Sequence, residues 1–157
     1  MKMPIMEQAI MNGAVDAAFT GEPFITYAEL RGLKVVKKLP DPAVVVVARN
    51  DFAKEHGEVV EKFMKGHLAS IDYIHENQKE SAAALAKAFK VPEIEAAGKT
   101  WTPAEVMEKA LANQQYEAAF SDEDFNFYQQ LADANYKLKL IDQPFDVQSV
   151  FDLNWIK

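Results

Sequence analysis

Two periodicities share this chain: apolar residues at helical spacing, and short β-branched runs between turn signals. Ile5, Met6, Ala9 and Ile10 predict a helix over 3–11, and Gly13 is placed as its left-handed C-cap. A short strand is expected at 15–19. Pro23 then fits the first position of a second helix, where its missing N–H costs nothing. Phe24, Tyr27, Ala28 and Leu30 supply that helix's buried face until Gly32 stops it. A second short strand is expected at 33–39. Pro40, Asp41 and Pro42 form the clearest linker, because two prolines in three residues forbid both helix and ladder pairing. The run 43–48, Ala-Val-Val-Val-Val-Ala, reads as a strand buried on both faces and sandwiched between helices.

Beyond that run the pattern turns helical. Asn50 is placed as an N-cap, and from Val60 the apolar residues Phe63, Met64, Leu68, Ile71 and Ile74 make one sustained stripe. Residues 81–89 predict an alanine-rich helix able to approach a neighbour closely, and 92–98 another turn or two of helix. Thr102, Pro103 and Glu105 spell a capping box with proline at the first helical position. Ser121 repeats the device ahead of Asp122, Glu123 and Asp124, three acids on the positive end of a helix dipole. The tail from Leu138, which holds Phe145 and Trp155, is apolar enough to pack against something.

Composition narrows the function. Ten Phe and five Tyr in 157 residues argue against disorder and for one domain with a real core. A net charge of −7 with scattered Lys and Arg argues against a nucleic-acid partner. No apolar run approaches the roughly 20 residues of a membrane span. The N-terminus lacks the uninterrupted apolar stretch of a secretory signal, so the chain as written is expected in the cytoplasm. Without cysteine there is no disulfide, thiol nucleophile or cysteine metal site.

The segment 3–24, ending Val15-Asp16-Ala17-Ala18-Phe19-Thr20-Gly21-Glu22-Pro23-Phe24, resembles the SsuA-like group of ABC-transporter periplasmic solute-binding proteins, with its helix, "A-L-x-x-G", "x-V-D-A" and "W-E-P-F". The similarity continues through Ala43 to Phe52, like the group's "V-L-V-V-R-x-D-F", and through Ala69 to Asn77, like its "A-x-x-Y-I-x-x-N-P". It reaches Pro144, Phe145, Asp146 and Val147, like the closing "P-x-D-V". The group serves nitrate, sulfonate, taurine, bicarbonate and pyrimidine or thiamine-precursor uptake. Its members are about twice as long, so the resemblance implies a C-terminal half of a type II periplasmic-binding fold, α/β in class, mostly helical with a few short strands. Residues 1–39 would be a remnant of the second lobe and 40–157 the C-terminal part of the first. A small-molecule ligand, an ABC permease and an extracytoplasmic location are implied for the intact protein.

The same resemblance makes Thr20, Gly21, Glu22 and Phe24 the ligand-binding candidates, with Glu22 accepting from a ligand amine or amide. Gly21 stands where the group often has Trp. The alternative for Glu22 is that it only complements the positive end of the following helix. Asp16 reads as a structural cap, and His67, on the apolar stripe, as a hydrogen-bonded core histidine. His75 lies eight residues further, too far for an i, i+4 metal pair, and His56 is isolated. No nucleophile-and-base pattern or phosphate loop occurs, and Ser70 and Ser121 lack partners in sequence. The expectation is therefore a binding protein with no catalytic residue, metal or cofactor. A second expectation comes from the incomplete sheet: an associating domain, as a homo-oligomer or with a separate N-terminal half. Each large apolar side chain left wet forfeits roughly 1.5–3 kcal/mol, which another chain would restore.

Overall fold

The computed structural model describes residues 5–39 and 44–155. The expected linker 40–42, Ala43, residues 3–4 of the helix expected over 3–11, and the last two residues lie outside these. The described chain is mixed α/β and mostly helical. It divides into two compact units, Met1–Lys38 with Asp72–Tyr116, and Leu39–Ile71 with Glu117–Lys157. Residues 72–116 thus group with the N-terminal segment rather than with the remainder of 40–157.

In the first unit, helix α1 (Met6–Met11) and helix α2 (Phe24–Leu30) end alike. Gly13 at φ +74° and Gly32 at φ +94° take the left-handed turn. The next two amides at each end then fold back onto the last helical carbonyls: Gly13 N–H to Ile10, Ala14 to Ala9, Gly32 to Glu29 and Leu33 to Ala28. Arg31 ties the two helices by donating to both carboxylate oxygens of Glu7 at 2.8 Å.

Helix α5 (Gln78–Ala88), a hairpin of β1 (Ile94–Ala96) and β2 (Lys99–Trp101), and helix α6 (Pro103–Ala112) build the core of this unit. The small faces of Ala82 and Ala86 let α5 lie close to Val106, Met107, Ala110 and Leu111 of α6. Ile94 and Val106 are fully buried between them. The strands pair antiparallel with Ile94 opposite Trp101 and Ala96 opposite Lys99. Ala97 and Gly98 between them both hold positive φ, the two-residue turn whose twist matches a hairpin.

The second unit holds helix α3 (Asn50–Glu55), most of helix α4 (Gly57–Glu76) and helix α7 (Asp122–Lys137). Phe120, Phe125, Tyr128 and Phe151 meet edge-to-face or tilted, with ring centroids 4.9–6.3 Å apart. Gln129 of α7 pins the C-terminal segment by accepting from Val147 N–H at 2.9 Å and donating to the Phe145 carbonyl at 3.2 Å.

Several expected elements differ. Residues 92–98 are not helical; they supply β1 and its turn, because Gly98 permits the reversal and Ile94 reaches the α5–α6 core. The expected strands 15–19 and 33–39 form no ladder, nor do the described residues of 43–48, since among the described residues no second strand lies alongside to satisfy their backbone. Val44 is 98 % exposed and Val47 85 %, the reverse of a strand covered on both faces. On α4 only Ile71 is buried, and Phe63 faces solvent. Arg49, not Asn50, holds the cap position of α3. Pro23 sits one residue ahead of α2 rather than within it.

Both capping boxes form. Glu105 accepts from Thr102 N–H at 2.8 Å, from Lys99 Nζ at 3.0 Å and from the Thr102 hydroxyl at 3.0 Å. These contacts, the backbone one foremost, hold its carboxyl well below its ordinary 4.5, at about 2. A depressed carboxyl stabilises the fold above its unfolded value and loses that contribution as pH falls through its folded one. Thermal melts of wild type and Glu105→Gln are therefore expected to differ most above pH 4.5 and to converge toward pH 2. A gap that stays constant across this range would contradict the cap's electrostatic role.

Candidate functional site

The turn from Thr20 to Pro23 delivers the chain into α2. The Gly21 carbonyl accepts from Phe24 N–H at 3.0 Å and Ile25 N–H at 3.3 Å, which closes the turn. A Cβ at Gly21 would meet nothing within 4 Å, so the turn leaves room for a side chain there. Phe24 meets Tyr27 edge-to-face at 5.7 Å, and Tyr27 packs against the α5–α6 core. Thr20 Oγ1 is enclosed and has no hydrogen-bond partner among the described residues.

Glu22 is held from two directions. Its Oε2 accepts from Thr26 N–H at 3.1 Å and from the Thr26 hydroxyl at 2.8 Å. Thr26 is only 1 % exposed, so the carboxylate satisfies two groups cut off from water. Its Oε1 accepts from Asn113 Nδ2 at 2.8 Å, across 91 residues of sequence. Asn113 is the residue at which α6 ends, so the α5–α6 core fixes where this donor stands. Glu22 thus accepts from the first turn of α2, as the helix-start alternative expects, and from Asn113 as well. A carboxylate offers about four lone-pair directions, of which three are used.

The donors that hold Glu22 are uncharged, and the Tyr116 phenol lies near enough to feel its charge. Burial, then the negative charge of Glu22, push the Tyr116 phenol above its ordinary 10.0. Burial likewise raises Tyr27, opposed by Arg31. Tyr116 is anchored at both ends, its hydroxyl donating to Gln114 Oε1 and its carbonyl meeting His75 Nε2 at 2.6 Å. No Lys, Arg or His pairs with Glu22 among the described residues. Two shallow concavities of the first unit lie elsewhere, one lined by Ala83, Ala86, Val91 and Pro103, the other by His75, Lys79, Glu80 and Glu108.

The remaining sequence candidates separate. Asp16 is exposed and caps no amide among the described residues, because no ladder or helix begins beside it. His67 is exposed and stacks nearly parallel on Phe63 at 6.3 Å, not a core histidine, because its face of α4 is uncovered. His56 lies against Phe52, Ser70 donates to the Gly66 carbonyl one turn back, and Ser121 is the α7 cap. Among the described residues no group of three or more His, Asp or Glu side chains is placed to hold a metal ion. Thr26 could have been found from sequence, four residues after Glu22 on a helix start. Asn113 and Tyr116 could not, since nothing local joins 22 to 113.

No protein family, curated protein or solved structure matches the chain. No described helix is long and apolar enough to cross a membrane.

The coupling of Glu22 to Tyr116 is directly measurable. In Glu22→Gln, ultraviolet titration is expected to show Tyr116, isolated by difference against Tyr116→Phe, ionising at lower pH than in wild type. An unchanged midpoint would mean that burial alone raises it.

Proposed function

We propose that the chain is the ligand-binding C-terminal half of an extracytoplasmic solute-binding component of an ABC importer for a small organic or inorganic solute. On this reading it has the type II periplasmic-binding arrangement, in which two lobes close over a ligand and no bond is broken. The observation that carries the reading is the immobilised Glu22: the turn that resembles the group's ligand-contacting "W-E-P-F" segment holds its carboxylate rigidly. Binding sites favour such preorganised polar groups on a structural scaffold. Support also comes from the apolar stretches 15–19, 33–39 and 44–47, which lack sheet partners among the described residues. Such stretches fit a chain whose sheet is completed by residues outside it. Thr20, Gly21 and Phe24 would flank the ligand, and a permease would receive it.

A second reading is favoured by Val44, Val47 and Phe63, which are apolar and 98 %, 85 % and 57 % exposed. It assigns the chain a role by association, as a homo-oligomer or with a separate N-terminal half, since large apolar side chains left wet forfeit burial that another chain would restore. Thermal-shift screening against nitrate, methanesulfonate, taurine, bicarbonate and 4-aminopyrimidine separates the two. The receptor reading expects one class to raise the melting temperature with concentration, by mass action, and Glu22→Ala to weaken that response by about tenfold in affinity. A flat response to all five, with a dimer in sedimentation velocity, would replace it with the association reading. An affinity unchanged in Glu22→Ala would remove Glu22 from the site.

A further inference from the structure

The second unit has less core than its size needs, and residues 44–47 mark where cover is missing. We propose that these four valines are the pairing surface for a second copy of this chain, which adds the same segment antiparallel across a two-fold axis between Val45 and Val46. The proposal rests on the association reading and names its partner and its contact.

Area sets the kind of partner. The chain exposes 12015 Å². A compact monomer of 17.6 kDa exposes about 7,900 Å², and even two compact globules of half that mass, out of contact, would together expose about 9,500 Å². At least about 2,500 Å² per chain is therefore surface that a compact fold would bury. A permanent interface between two copies buries about 2,000–5,000 Å² counted over both, which is the scale of this excess, whereas a small ligand or a short peptide falls well below it. The shortage lies in the second unit: of the described buried apolar side chains, nine belong to the first unit and only Ile71, Ala132 and Val147 to the second.

The segment 44–47 states what must cover it. Val44 and Val47 are almost wholly exposed, and no amide or carbonyl of the four valines has a backbone partner among the described residues. Burying the side chains while leaving those groups unpaired would cost what the burial gains, so the cover must itself supply a strand. The sequence favours the same segment as that strand. Residues 43–48, Ala-Val-Val-Val-Val-Ala, read identically in both directions. A two-fold between Val45 and Val46 therefore sets Val44 against the partner's Val47 and Val45 against the partner's Val46, like shape on like shape. No charged residue lies between 43 and 48, so the pairing brings none of either copy's net −7 into the contact.

The chain has no cysteine, so introduced thiols report on this contact alone. In sedimentation velocity the full wild-type chain is expected to be a dimer, and an equal mixture of Val44→Cys and Val47→Cys is expected to form a disulfide-linked dimer under mild oxidation. Either variant alone should form far less, since the axis holds like positions roughly 10 Å apart along the strand, beyond the about 7 Å between Cα atoms that a disulfide spans. Val47→Lys, at a side chain that is exposed in the single chain, should keep the wild-type circular dichroism and raise the dimer dissociation constant at least about tenfold. A wild-type dimer whose constant Val47→Lys leaves unchanged, with no more crosslink in the mixture than in the single variants, overturns this contact while the association reading stands. A chain that stays monomeric up to about 100 μM overturns self-pairing and leaves a separate N-terminal half as the associating partner. Species that grow without limit overturn the closed two-fold in favour of open strand addition.

Discussion

The close packing of α5 on α6 is the contact on which the first unit depends. Ala82 and Ala86 bring one helix near enough for Val106 and Ala110 of the other to exclude water, and Ile94 of the hairpin closes the layer. Small residues at such a crossing lower the separation of the axes, so larger ones could not be accommodated without moving α6 as a body. The end of α6 carries Asn113, and Asn113 reaches Glu22. A buried apolar layer thus determines the position of a polar group at the surface. The Thr26 side chain completes the arrangement, because its buried hydroxyl and amide have Glu22 as acceptor.

What is legible in sequence is what one helical turn decides. The boxes at Thr102 and Ser121, and the left-handed glycines at 13 and 32, are settled by atoms within a few residues of each other. Strands behave otherwise, since a β-branched run states only that its side chains suit a pleated surface, not that a partner is present. Residues 44–47 have the composition of an interior strand and lie outside any sheet. The hairpin at 94–101 escapes the pattern for the opposite reason. Its strands are three residues each, too short for alternation to register, and only Gly98 marks the turn.

The site divides along the same line. Glu22 is singled out in sequence by the resemblance and by its place ahead of a helix start, and its local partner Thr26 follows from helix geometry. Asn113 and Tyr116 arrive by tertiary packing, and with them comes the feature that gives the turn its chemical character: a carboxylate held by neutral donors, with the Tyr116 phenol near enough to feel its charge. His67 shows the same limit from the other side. Its place on an apolar stripe suggests burial, yet that stripe of α4 is largely uncovered.

Native-state hydrogen exchange tests most directly whether the α5–α6 layer holds the Glu22 turn. The Thr26 amide, which donates to Glu22, is expected to exchange on the same slow scale as the amides of Val106 and Ala110. A Thr26 amide exchanging as fast as those of the exposed residues 44–47 would show that the turn is not anchored to the core, and would contradict the dependence of Glu22 on that layer.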